Sequence, residues 1–135
     1  MISASARIKI PFHDVDSMGV TWHGHYVKYL EIARCELLDK IGYNYKDMEA
    51  SGYAWPIIDM HIRYPGPTLF DEEIDVTAKL VEWENRLVID YQVRNSDGRR
   101  VTKARTVQVA LEIESKTMCY ESPAILLEKI KAYQS

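Results

Sequence analysis

From Gly24 to Ile41 the chain carries apolar residues at helical spacing on a broad face. Tyr26, Leu30, Ala33, Leu37 and Ile41 recur at intervals of three and four, and Tyr29, Ile32 and Leu38 widen the apolar side. Glu36 and Lys40 form a favourable i,i+4 pair on the polar side, and Gly42 supplies a C-terminal stop. A helix this apolar must lie against a wide surface, most simply a sheet.

The rest of the chain supplies the strands. Residues 7–13 read as a short strand, with Ile8, Ile10 and Phe12 alternating against Arg7, Lys9 and His13. After the helix, one or two helical turns are expected from Tyr45 to Ser51, and period-two alternation then holds to residue 115. Ile58, Met60, Ile62 and Tyr64 mark one strand, which Pro65-Gly66-Pro67 ends. Ile74, Val76, Ala78 and Leu80 mark the next. The turn Trp83-Glu84-Asn85-Arg86 leads to Leu87, Ile89, Tyr91 and Val93. Ser96-Asp97-Gly98 is a hairpin signal, and a long last strand runs from Val101 through Val107, Val109, Leu111 and Ile113. A helix is expected from near Pro123 to about Tyr133. The class is α+β: five antiparallel strands beside one long helix, with a short C-terminal helix. Residues 1–135 read as one domain, without repeats or a linker.

Composition narrows the function classes. With 47% hydrophobic and 27% charged residues the chain has a globular composition, and its formal charge of −3 argues against a nucleic-acid partner. Arg99, Arg100, Lys103 and Arg105 form a local basic cluster, read as a solvated strand face that could also meet a phosphate. Two cysteines, Cys35 and Cys119, make no disulfide framework and point to a reducing compartment, so a cytoplasmic location is expected. No stretch approaches the roughly 18 apolar residues of a membrane span.

Chemistry concentrates in Asp14 to Tyr26, which packs two carboxylates, two imidazoles and two glycines between the first strand and the long helix. A loop leading into a helix keeps backbone N–H groups free and is aimed by a rigid scaffold. Asp14 reads as a structural cap or loop stabiliser, and Gly19 as the residue that permits a tight turn. His13, Asp14, Asp16, His23 and His25 are ligand types a divalent ion accepts, but no metal motif spacing accompanies them.

The string Asp14-x-Asp16-x-x-Gly19-Val20, with Tyr26 seven residues after Gly19, strongly resembles the 4-hydroxybenzoyl-CoA thioesterase family of hotdog-fold acyl-CoA hydrolases. The resemblance extends over nearly the whole chain, including Glu82-Trp83 before the hairpin. It implies a five-stranded antiparallel sheet wrapped around the long helix, and a homodimer with active sites at its interface, often doubled into a homotetramer. It places the catalytic carboxylate on Asp16 and gives His23 the position held by histidine in the bacterial acyl-CoA thioesterase branch. Phe12 stands where that branch often has tyrosine. Where the best-known members have a basic loop after the tryptophan, holding coenzyme A phosphates, this chain has Glu84 and Asn85 and keeps only Arg86.

Thioester hydrolysis needs an attacking group and a site that stabilises oxyanion charge. The helix N-terminus near His23 and Gly24 suits the second task, with the His23 N–H pointing at the thioester carbonyl and Gly24 leaving room for that approach. Asp16, across the turn, serves as nucleophile or as general base aligning water. The His23 side chain assists, Tyr26 forms pocket wall, and Arg86 is the candidate for a phosphate of the acyl-CoA substrate. No metal or redox cofactor is expected. The rival readings are an acyl-binding module without turnover, an acyl carrier protein thioesterase, and a hydratase.

Overall fold

The computed structural model describes residues 1–64 and 66–135. In chain order it contains β1 (Ser3–Lys9), α1 (Tyr26–Lys40), α2 (Tyr45–Ala50), β2 (Tyr53–Ala54), β3 (Ile57–Arg63), β4 (Glu73–Glu82), β5 (Leu87–Arg94), β6 (Arg100–Gln108), β7 (Leu111–Glu112), β8 (Thr117–Met118) and α3 (Ala124–Gln134). Five strands form an antiparallel sheet in the order β1-β4-β5-β6-β3. The helix expected from the wide apolar stripe is α1, which packs across β1 and β4. Its Tyr29, Leu30, Ala33, Leu37 and Leu38 are buried against Ile74, Val76, Ala78, Ile89, Tyr91 and Val93 of the sheet. At about 25 cal/mol per Å² of apolar surface, this interface is the main favourable term holding helix to sheet. The α+β class, the long helix and the short C-terminal helix stand as expected from the sequence.

Three boundaries differ from that expectation. The first strand is Ser3–Lys9, not 7–13. Its register runs from Ser3 opposite Lys79 to Lys9 opposite Glu73, so that Ala4, Ala6 and Ile8 face α1. Alternating Ser and Ala carry too little hydropathy contrast to show this periodicity. Beyond Ile10 the chain leaves the sheet at Pro11 and makes a 3₁₀ turn at Phe12–Asp14. The long last strand is broken at Gln108. Val109 donates to the Pro56 carbonyl, and β7 then pairs with β2 and β8 in a small second sheet. Thr106, Val107 and Gln108 are all buried, so alternation fails where the chain changes partners. The long helix begins at Tyr26, preceded by a 3₁₀ turn over His23–His25.

Of Pro65-Gly66-Pro67, Pro65 lies outside the described residues; β3 ends at Arg63. The expected turn at Tyr45 is α2, whose first residue follows a capping box between Asn44 and Asp47. Among the described residues no helix is long and apolar enough to cross a membrane.

Candidate active site

The loop between β1 and α1 is folded by its own backbone. Val15 bridges to Thr21, Asp16 N–H donates to the Val20 carbonyl at 2.9 Å, and Gly19 N–H closes a turn on the Asp16 carbonyl at 3.0 Å. Gly19 has φ +77°, a left-handed conformation that side chains other than glycine rarely adopt. Asp16 Oδ1 accepts from the Met18 N–H at 2.9 Å and from the Val20 N–H at 3.3 Å. Among the described residues its Oδ2 has no protein partner. The carboxylate therefore holds the turn with one oxygen and presents the other to solvent. Residues 68–70 run beside this loop. Thr21 donates to the Thr68 carbonyl, Phe70 to the Gly19 carbonyl, and Val20 bridges to Leu69.

The following turn builds the start of the helix. Trp22 N–H donates to the Asp14 carbonyl and His25 N–H to the Trp22 carbonyl, each at 3.0 Å, while Tyr26 N–H takes the His23 carbonyl. Among the described residues the His23 and Gly24 N–H groups have no backbone acceptor. They are the leading donors of the helical stack, where the partial positive charge collects. Gly24 gives room to its neighbour: a Cβ there would overlap the half-exposed Trp22 indole, which lies directly over it, and would push the ring aside.

Asp16, Thr21, Trp22, His23, Tyr26, Tyr64, Gly66 and Pro67 line a cleft of about 370 Å³, together with Val20. Its aromatic wall is continuous. Tyr64 packs on Tyr26 with ring centres 5.0 Å apart and on His23 at 6.3 Å, and its hydroxyl donates to the His23 carbonyl at 3.3 Å. That bond and the one from the Tyr26 N–H both fall on the His23 carbonyl, and neither uses the His23 N–H. Below the wall, the Tyr26 hydroxyl meets Thr68 Oγ1 at 2.9 Å, and Thr68 donates to Thr21 Oγ1 at 2.7 Å. Burial raises the pKa of both Tyr26 and Tyr64, so both phenols stay protonated at neutral pH.

Asp14 behaves differently. It is 1% exposed and accepts from Lys28 Nζ at 2.9 and 2.8 Å and from the Tyr29 hydroxyl at 2.5 Å. His13 Nε2 and His25 Nδ1 stand 3.6 and 3.7 Å from the same carboxylate. Burial by itself would raise its pKa, but the hydrogen bonds from Lys28 and Tyr29 outweigh burial and hold it below the ordinary carboxylate value. Asp14 thus ties the loop to the first turn of α1, as a loop stabiliser would.

Of the residues singled out in the sequence, Asp16, His23 and Tyr26 meet in the cleft. Gly24 lies beside it, under Trp22. Arg86 does not line it: the guanidinium Nε donates to Glu82 Oε2 at 2.8 Å across the β4–β5 turn. Phe12 is 74% exposed and packs edge-on against Phe70. Sequence reasoning missed Tyr64, Trp22 and the Thr21–Thr68 pair. Tyr64 carries a signal in hindsight, an aromatic residue set immediately before a Pro-Gly-Pro break. The threonines carry none, because their meeting depends on a 47-residue separation in sequence. Among the described residues no group of three His, Cys, Asp or Glu side chains is placed to hold a metal ion.

Comparisons with known proteins place this geometry in a family. The family model described as the thioesterase-like superfamily matches residues 10–130. The chain is 28% identical over 110 residues to "Putative acyl-CoA thioesterase YneP" of Bacillus subtilis (strain 168), covering 81% of this chain and 80% of that protein. It is 22% identical over 106 residues to acyl-CoA thioester hydrolase YbgC of Escherichia coli O157:H7, covering 78% and 79%. A DHNA-CoA thioesterase from Staphylococcus aureus superposes with a TM-score of 0.87 at 25% identity, covering 99% of this chain and 92% of that one. The sheet and central helix are those of a hotdog fold, and the chain belongs to the thioesterase-like superfamily.

Proposed function

We propose that this protein hydrolyses acyl-CoA thioesters to a free acid and coenzyme A, with Asp16 as the attacking or proton-accepting carboxylate. One observation carries the assignment of roles: the free Oδ2 of Asp16 and the unaccepted N–H of His23 belong to residues that line a single cleft. In the nucleophilic route a carboxylate oxygen attacks the thioester carbon, the C–S bond breaks, coenzyme A leaves as thiolate, and water then hydrolyses the acyl anhydride. In the general-base route Asp16 takes a proton from water as its oxygen attacks. The tetrahedral intermediate then expels the thiolate, which receives that proton. Both routes place negative charge on the former carbonyl oxygen, where the His23 N–H stabilises it. The His23 imidazole orients the attacking water, and Tyr26 and Tyr64 wall the acyl group.

The YneP, YbgC and DHNA-CoA thioesterase names support coenzyme A as the carrier. The assembly is read as a homodimer or homotetramer, with β3 as a sheet edge open to pairing. Two half-buried free cysteines fit a cytoplasmic setting.

The test is thiol release from benzoyl, short-chain and long-chain acyl-CoAs. Release well above buffer on at least one of them is expected. No release on any, with turnover of acyl carrier protein esters, would assign the carrier-protein reaction instead. Binding without turnover on either would make the protein an acyl-binding module.

A further inference from the structure

Away from the cleft, the sheet face opposite α1 carries an uneven charge pattern. At several positions on this face cross-strand neighbours are matched, positive against negative, although Arg94 stands opposite Arg100 at the end of β5 and β6. Arg7 stands opposite Asp75 and donates to both its oxygens at 3.1 and 3.4 Å. Lys79 stands opposite Asp90. Arg105, also opposite Asp90, donates to it at 2.6 and 2.9 Å.

Between β3 and β6 the matching stops. Arg63 stands opposite Lys103, and His61 stands opposite Arg105 one pleat along. All four side chains are exposed and flank inward-facing Ile62 and Ala104. They line a cleft of about 370 Å³ whose one acid among the described residues is Asp90, already engaged by Arg105. Among the described residues neither Arg63 nor Lys103 has an ion-pair partner. Like charges set directly opposite each other in a sheet are destabilising. This arrangement therefore weakens the β3–β6 pairing unless an anion sits between the cations.

We infer that the His61–Arg63–Lys103–Arg105 cleft is an anion site that takes phosphate. A guanidinium offers a planar fork for two phosphate oxygens, and a lysine adds a point charge. Several cations around one hollow match a compact, multiply charged anion better than a single carboxylate. The strand ladder holds their stems at fixed spacing, so little ordering is needed on binding. An adjoining hollow shares Lys103 and Asp90 and adds Lys79 and Arg100, extending the cationic surface for a ligand with more than one phosphate. Two sources have this chemistry. One is the nucleotide end of coenzyme A, which rests on the function proposed above. The other is free phosphate or another nucleotide, which does not.

The experiment compares wild type with the double variant Arg63→Gln/Lys103→Gln at low ionic strength, where exposed charges are least screened. Calorimetric titration uses inorganic pyrophosphate and adenosine 3′,5′-bisphosphate as probes. Wild type should bind pyrophosphate and gain thermal stability from it. The double variant should bind about tenfold more weakly or worse, and its unliganded Tm should not fall, because a repulsion has been removed. Turnover is then measured on an acyl-CoA and on the matching N-acetylcysteamine thioester, which has no phosphate. A raised KM for the acyl-CoA alone identifies coenzyme A as the source. Unchanged KM on both, with pyrophosphate binding lost, identifies a phosphate site separate from the substrate. Absence of pyrophosphate binding to wild type at millimolar concentration, or equal binding by the double variant, overturns the site. Turnover of the N-acetylcysteamine ester tests the hydrolase reading independently of either result.

Discussion

Asp14 and Asp16 are two residues apart, and their surroundings are opposite. Asp14 is buried, with Lys28 and Tyr29 bonded to its carboxylate and two histidines beside it. Asp16 is exposed at a cleft, with one oxygen on its own turn and the other unpartnered among the described residues. A carboxylate saturated by donors is stable and unreactive. One that keeps an oxygen free can attack, or take a proton. In the proposed mechanism the motif divides its acids between holding the loop and doing chemistry: Asp14 ends the 3₁₀ turn at Phe12–Asp14 and points to α1, whereas Asp16 opens the separate turn that Gly19 closes at the cleft.

That division can be broken or sharpened at graded points. The largest effect is expected at Asp16: Asp16→Asn should lower kcat at least ~100-fold, about 2.7 kcal/mol of barrier. Its Tm should stay close to wild type, since an amide oxygen can still accept the turn N–H groups. Asp14→Asn should do the reverse. Removing the charge leaves the Lys28 ammonium facing a buried neutral group, at a cost of about 3 kcal/mol in a denaturant titration.

The same pair separates by pH. Asp14 has a folded pKa below its unfolded value, because Lys28 and Tyr29 outweigh its burial. Its contribution to stability is complete above the ordinary carboxylate pKa of about 3.9 and is lost as pH falls through the lower folded value. Acid unfolding followed by circular dichroism should show this loss in wild type and a flatter acid limb in Asp14→Asn.

Smaller effects belong to the wall. Gly24→Ala should displace the Trp22 indole and lower kcat roughly tenfold, because the added carbon overlaps the ring and shifts the turn that carries the His23 N–H. Tyr64→Phe removes the hydroxyl bonded to the His23 carbonyl and should cost about 1 kcal/mol or less in kcat/KM. Arg86→Ala should be the mildest, changing stability by no more than about 1 kcal/mol, since its exposed pair with Glu82 is well solvated. KM for acyl-CoA, measured in parallel, should stay near the wild-type value.

How legible these features were in the sequence follows the range of the forces that make them. The wide apolar face of α1 and the alternation of β4 and β5 are local patterns, and they announced a helix lying on a sheet. Asp14, Asp16 and Gly19 share one short loop whose turn chemistry is also local. β1 starts earlier than alternation alone suggests because Ser3, Ala4, Ser5 and Ala6 differ little in hydropathy; its position is decided by pairing with β4, some seventy residues away. The break after Gln108 is likewise decided by partners, Pro56 and Cys119, that no window on the last strand contains. At the cleft, Tyr64 and Thr68 reach the motif loop only through the folded return from β3. Arg86 lies outside the cleft, in an exposed pair with Glu82 four residues back on the same turn.

The most direct test puts both motif acids in one assay. Asp16→Asn and Asp14→Asn are compared with wild type for single-turnover thiol release at a temperature where circular dichroism shows all three folded. Asp16→Asn should be folded and at least ~100-fold slower, while Asp14→Asn should keep its rate within about tenfold despite its lower Tm. Near-wild-type release by Asp16→Asn, or an equal collapse of both variants, would contradict the assignment of chemistry to Asp16 and of the frame to Asp14.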